Sequence, residues 1–223
     1  MRLCGGEEKS KKKINISFDE WNVWWQRGND DEKAAKYHYS VEEAVVSGAM
    51  LLSLLRRADR VKIGCQAQLV NVIAPIYTNA FSGHDNPEKG GAAWRQTMFY
   101  PYMHASKYGR GTALQTVVDC EKYDCEWYTG VPVIDSIAVE TETGVTIFAI
   151  NRGEEEVLLE CCPGGYTCNN QPEHIALWDE DKFAVNTVDN PDRVTPKIQA
   201  DITCEDNIVT AKLKPLSWNV IRI

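Results

Sequence analysis

The chain has no apolar run approaching the roughly 20 residues of a membrane span, so a bilayer-crossing helix is excluded by its sequence. Basic residues are in deficit: Lys and Arg number 24 against 32 Asp and Glu, a net charge of -8. A surface of that sign repels phosphate backbones, which argues against a nucleic-acid partner. Histidine is scarce, with four in 223 residues, and no Cys-x-x-Cys occurs, so no zinc site, metal or cofactor is expected. Met1–Lys13 is charged and has no apolar segment of the kind found in secretory leaders, so a cytoplasmic location is expected. Internal repeats and low-complexity tracts are missing as well.

Eight cysteines are present, and 43% of residues are hydrophobic. A core of that size needs no disulfide staple, so reduced thiols packed as small apolar groups are expected. Cys120–Cys125 and Cys161–Cys168 are the two bridges that spacing leaves open.

The run Ile16-Ser17-Phe18-Asp19-Glu20-Trp21-Asn22-Val23-Trp24 is the most informative stretch. Alternation predicts a strand over Ile14–Glu20 that ends in a carboxylate among tryptophans. Cleavage of a sugar bond uses such a carboxylate, with aromatic faces to hold the ring. Glu20 has the parity of the apolar set, and a bulge near the strand end would re-aim it. Residues Arg27 to Tyr37 read as a polar loop.

Ser40 and Glu43 form an S-x-x-E capping box ahead of Val41, Ala44, Val45, Leu52 and Leu55, with Arg56 and Arg57 placed in the last turn. A second strand is predicted over Val61–Val70, a loop over Asn79–Gly91, and a second helix over Ala92–Tyr108, kinked at Pro101 and ended by Gly109 and Gly111. Strand, helix, strand, helix implies parallel strands with crossovers. Beyond Thr112 the texture changes to short strands at Ile134–Glu140, Val145–Asn151, Glu156–Cys161, Ile175–Trp178, Ile208–Lys212 and Trp218–Ile223, with turn signals such as Glu205-Asp206-Asn207 between them. The expectation is α/β plus all-β. Residues 1–13 form a charged lead-in, residues 14–111 an α/β part, and residues 112–223 a β-sandwich.

Four blocks in order resemble one family: Phe18-Asp19-Glu20-Trp21-Asn22-Val23-Trp24; Ala58 to Ile63 leading to Ala67-Gln68-Leu69-Val70-Asn71-Val72-Ile73-Ala74-Pro75; Tyr108-Gly109-Arg110-Gly111; and the terminal Pro215 to Ile223. Together they look like the C-terminal portion of an α-L-arabinofuranosidase of glycoside hydrolase family 51. The resemblance covers nearly all of the chain from Lys13 onward. It implies a C-terminal fragment of a (β/α)8 barrel, strands seven and eight with their helices, followed by a jelly-roll-like β-sandwich. It also implies a retaining glycosidase that releases terminal arabinofuranosyl groups from arabinan or arabinoxylan oligosaccharides. By the same matching Glu20 is the nucleophile, and Trp24 and Gln68 are substrate-binding; Asn22 is a further substrate-binding candidate, placed either to orient the site or to cap the loop. His84 and Trp94 are candidates on a substrate loop.

The family's acid/base glutamate lies in an Asn-Glu pair upstream of the nucleophile, and no Asn-Glu pair occurs in this sequence. The implied reading is therefore an incomplete barrel that is silent alone, either truncated or working beside a separately encoded N-terminal half, and homo-oligomeric when complete. The alternative is a non-catalytic carbohydrate-binding or structural β-sandwich. An exposed aromatic row would mark it, and only Tyr166, Trp178 and Phe183 come near one in the sequence.

Overall fold

The computed structural model describes residues 12–24, 38–71, 73–78, 91–168 and 171–223. The chain opens with β1 (Ile16–Trp21), α1 (Val41–Leu55), β2 (Val61–Gln66), β3 (Ile76–Thr78), β4 (Ala93–Arg95) and α2 (Phe99–Tyr108). It continues through β5 (Thr112–Leu114), β6 (Lys122–Tyr123), β7 (Val131–Pro132), β8 (Ile134–Thr141), β9 (Gly144–Asn151) and β10 (Val157–Cys161). The last strands are β11 (Glu173–Leu177), β12 (Lys197–Gln199), β13 (Thr203–Glu205), β14 (Ile208–Leu213) and β15 (Ser217–Arg222).

β1 and β2 are parallel, joined through α1, as the strand-helix-strand order requires. The other paired strands are antiparallel. One sheet has the order β12-β11-β15-β9-β8-β5, and a smaller one has the order β10-β14-β13. The large sheet is covered on both sides. Ile137, Val139, Phe148, Ile150, Trp218 and Val220 pack against Val41, Ala44, Val45 and Leu52 of α1 and Tyr100 of α2. Their alternates Ala138, Ile147, Ala149 and Ile221 pack against Val209, Ala211 and Leu213 of the small sheet. This explains why β9 is buried from Val145 to Asn151 without alternation.

Trp218 lies on the helix side, where its ring stacks on Phe148 at 5.6 Å between centroids. A Cβ built on Gly48 of α1 would come within 2.5 Å of that indole. Gly48 is therefore what lets the helix settle onto the sheet.

Several expected boundaries move. At the start of α1 the Ser40 N–H donates to the Glu43 carboxylate at 2.7 Å, as the capping box requires. At its other end, Arg56 is the C-cap and not part of the last turn. Its guanidinium goes to Asp135, at 2.5 Å, instead of to the helix carbonyls. Arg152 approaches the same carboxylate at 2.8 Å, so one aspartate ties α1 to β8 and β9.

The helix expected over Ala92–Tyr108 begins only at Phe99, because Ala93–Arg95 pairs antiparallel with Ile76–Thr78 as β4. Pro101 then sits in the first turn, where its missing N–H costs no helical bond, and no kink is needed. Gly109 is the C-cap, and its N–H donates to Ala105 O at 2.9 Å.

None of the seven cysteines among the described residues is in a disulfide. Cys168 faces Cys204, not Cys161, and burial together with that neighbour pushes its thiol up to about 11.

Candidate active site

β1 and β2 run side by side, but their registers slip twice. Between Ile16 and Ser17 the extra residue falls on β2, where Lys62 stands between the partners Val61 and Ile63. Between Phe18 and Trp21 it falls on β1, opposite Gly64 and Gln66. The second irregularity spans Asp19 and Glu20. A bulge adds local twist and re-aims a side chain, and here it does so at the candidate nucleophile. Glu20 is exposed, while Trp21 beside it is buried, its ring 6.5 Å from that of Tyr102.

The chain beyond both strands is held by amides, that of Asn22 half-buried and that of Gln96 fully buried. The Ala67 N–H donates to Trp21 O at 2.8 Å and carries the pairing one step past β2. The side-chain amide of Asn22 donates to Ala67 O at 3.2 Å and also to Ile73 O. Its Oδ1 accepts from the Val23 N–H at 2.8 Å. Gln96 supports the same loop, its side chain donating to Ala74 O at 2.7 Å and its own N–H to Pro75 O at 2.8 Å. Tyr39 joins the two sides: its N–H donates to Gln96 Oε1 at 2.9 Å and its hydroxyl to Val23 O at 2.8 Å.

The loop so held is unusual in its backbone. Gln68, Asn71 and Ile73 all have positive φ, at 55°, 68° and 53°. For the β-branched Ile73 this is a costly conformation, which persists because surrounding bonds over-determine it. The strand expected to continue to Val70 therefore ends at Gln66, and the chain coils so that Gln68 is presented exposed. Gln68 lines a groove of about 720 Å³ with Gln66, Leu69, Tyr102, Met103 and Arg110. No residue of β1 lines it.

Of the expected site residues, Glu20 and Gln68 lie at the same end of neighbouring parallel strands, and Asn22 bonds the carbonyl of the residue before Gln68. Asn22 itself, expected at the substrate, has its amide hydrogens directed at backbone carbonyls, which makes it a clamp on the loop. Trp24 is 56% exposed, next to a buried Val23.

Trp94, a candidate for the substrate loop, is buried instead: its indole N–H donates to Asn186 O at 3.0 Å, and its ring lies 5.0 Å from that of Tyr77. Pairing in β4 turns it inward. His84 and the rest of the expected Asn79–Gly91 loop except Gly91, and the expected loop from Arg27 to Tyr37, lie outside the described residues.

Gln96 and Tyr39 were missed in the sequence. A fully buried glutamine in Trp94-Arg95-Gln96-Thr97 reads as a helix face until the β3–β4 pairing is known. Among the described residues no group of three or more His, Cys, Asp or Glu could hold a metal ion. No helix among them is long and apolar enough to cross a membrane.

The model of the α-L-arabinofuranosidase C-terminal domain matches residues 19–217. The chain belongs to the α-L-arabinofuranosidase family. It is 44% identical over 226 residues to intracellular exo-α-(1→5)-L-arabinofuranosidase 1 of Bacillus subtilis (strain 168), covering 96% of this chain and 43% of that protein. It is 35% identical to an exo-α-(1→6)-L-arabinofuranosidase of Bifidobacterium longum, covering 96% of this chain and 43% of the relative. The solved family 51 arabinofuranosidase from Bifidobacterium longum superposes with a TM-score of 0.81 at 32% identity, over 96% of this chain and 43% of that one. The family 51 enzyme of Xanthomonas axonopodis pv. citri, at 20% identity and a TM-score of 0.80 over 94% of this chain and 41% of that one, shares the fold. The chain thus spans less than half the length of the relatives it matches, and it corresponds to the C-terminal portion of family 51 arabinofuranosidases.

Proposed function

We propose that this chain carries the nucleophile side of a retaining α-L-arabinofuranosidase centre. Glu20 attacks the anomeric carbon of a terminal arabinofuranosyl group. The glycosidic C–O bond breaks, and the leaving oxygen takes its proton from a second carboxylic acid. Water, deprotonated by that same second group, then releases the sugar from Glu20 with retention. Gln68 bonds the sugar hydroxyls, and the exposed indole of Trp24 offers a face to the ring. Asn22 is assigned a positioning role in place of direct contact.

The observation that supports this reading is the pairing of the two strand ends. The bulge puts Glu20 at the C-terminal end of one parallel strand, and the strained, clamped loop puts Gln68 at the same end of the next. Barrel enzymes place their chemistry at that end.

The acid/base partner is assigned to the family's upstream barrel portion, in the same or a separately produced polypeptide. The substrate is an arabinose-containing oligosaccharide, and a cytoplasmic location follows the intracellular names of the relatives.

The test is an assay on 4-nitrophenyl α-L-arabinofuranoside. The chain alone is expected to be silent, because lack of an acid/base removes about 100- to 10,000-fold and lack of the site geometry removes more. Mixing it with the purified N-terminal portion of a close relative is expected to restore turnover, and Glu20→Ala to abolish it. Restored turnover that survives Glu20→Ala refutes the assignment. So does turnover by the chain alone that is insensitive to Glu20→Ala.

A further inference from the structure

Beyond Cys120, which still packs against the sandwich core, residues 121–132 form an arm. At its base the Val133 N–H donates to Glu121 O at 2.9 Å, and β6 pairs with β7. Its tip is closed by a bond from the Cys125 N–H to Tyr128 O at 2.8 Å and one from the Gly130 N–H to Asp124 Oδ1 at 2.7 Å. Gly130 takes φ +65°, which the return of the chain requires. The arm is therefore held by its own hydrogen bonds.

On this frame Trp127 is 79% and Tyr128 70% exposed, with the ring of Tyr123 also reaching solvent. None of the three belongs to the hydrophobic clusters that build the core. Large aromatic side chains displayed together without packing mark a contact surface.

The charges around these rings select among partners. Asp119, Glu121, Asp124 and Glu126 flank them, against Lys122 alone. That balance disfavours nucleic acid and anionic membranes. It also disfavours arm-to-arm pairing of two copies, which would bring like charges together.

A neutral, hydroxyl-rich ligand with apolar C–H faces meets both features. Its ring faces lie on the indole and phenol, whose bodies are apolar and tips polar. Its hydroxyls donate to carboxylates, which accept only. We propose that this arm is a binding site for a neutral oligosaccharide chain, with Trp127 and Tyr128 as stacking platforms and Glu126 accepting from hydroxyls. The proposal stands apart from the assignment of Glu20.

The experiment is affinity electrophoresis of the full chain in gels containing debranched arabinan or neutral arabinoxylan, with titration by arabino-oligosaccharides followed through tryptophan emission. Retardation by at least one polymer is expected. Trp127→Ala and Tyr128→Ala should each weaken it about tenfold, with circular dichroism and melting temperature unchanged. Trp127→Phe should retain most of the binding. Absence of retardation by both polymers overturns the proposal, as does retardation that persists in the Trp127→Ala/Tyr128→Ala double variant. A wild-type dimer in sedimentation that the double variant converts to monomer would assign the arm to a second copy, and likewise overturns it.

Discussion

Asn22, two residues after Glu20, donates its side-chain amide to Ala67 O at 3.2 Å and to Ile73 O, the two carbonyls that bracket the loop bearing Gln68. One amide thus couples the exit of β1 to the backbone beyond β2. The strain at Ile73, with φ at 53°, has this bond as one of its restraints.

Asn22→Ala should therefore loosen the loop as well as lower stability. The half-buried carbonyls left unpaired cost about 1–3 kcal/mol. Urea unfolding measures that loss. Amide exchange should quicken across residues 67–75 and stay unchanged in β8 and β9. Asn22→Asp should be no better, since a carboxylate has no hydrogen to donate. Uniform exchange across the chain would contradict the clamp.

Gly48→Ala tests the seat of the first helix. Alanine favours a helix over glycine by about 1 kcal/mol. Here the added Cβ meets the Trp218 ring at 2.5 Å, and overpacking costs about 1–3 kcal/mol. Trp218 cannot yield freely, because its indole N–H donates to His104 Nδ1 at 3.1 Å and its ring stacks on Phe148. The variant should melt lower than wild type, and a rise in melting temperature would mean that the indole moves readily.

Much of this architecture is legible in the sequence, and the exceptions have a common cause. Strands β8, β9, β14 and β15 fall within a residue or so of their turn signals, and Ser40 with Glu43 marks the start of α1, because these are local signals. Glu20 at a strand end could be read too. What could not be read is long-range. The pairing of Ala93–Arg95 with Ile76–Thr78 overrides helical spacing and buries Trp94, a candidate for substrate contact. The coil after Gln66 depends on Asn22, far away in sequence, and on Gln96. The aromatic arm went unnoticed because exposure of Trp127 and Tyr128 follows from what fails to pack on them. Phe183, one of the aromatics singled out from sequence, is exposed, whereas Tyr166 lies against the small-sheet cluster.

The turn between β13 and β14 offers a comparison within one pair of residues. Asp206 and Asn207 both sit at positive φ, 49° and 61°, the pattern of a tight hairpin. Glycine takes that backbone without steric cost. Asp206→Gly should change stability by less than about 0.5 kcal/mol, since relief of strain and added chain entropy oppose each other. Asn207→Gly should cost about 1–2 kcal/mol. Its side chain accepts from the Cys168 N–H at 2.9 Å and donates to Tyr166 O at 2.9 Å, tying the turn to the segment after β10. Equal effects at the two positions in chemical denaturation would show that backbone conformation alone decides.

His104 gives the fold a pH dependence of definite sign. It is buried on α2, and burial, with the nearby Lys107 charge adding to it, lowers its pKa to about 4 from an ordinary 6.5. Its Nδ1 accepts from the Trp218 indole, so a proton on that nitrogen also breaks a core hydrogen bond. Between pH 6.5 and about 4 the unfolded chain binds a proton at this position that the folded chain refuses. The stabilisation is therefore complete above pH 6.5 and is lost as pH falls through that window, by roughly 3 kcal/mol in total. Urea midpoints at pH 7, 5.5 and 4.5 should decline accordingly. His104→Gln keeps an acceptor for the indole without titrating. It should be less stable than wild type at pH 7, and its stability should fall less steeply with acid. A slope identical to that of the wild type would place the acid sensitivity on other groups.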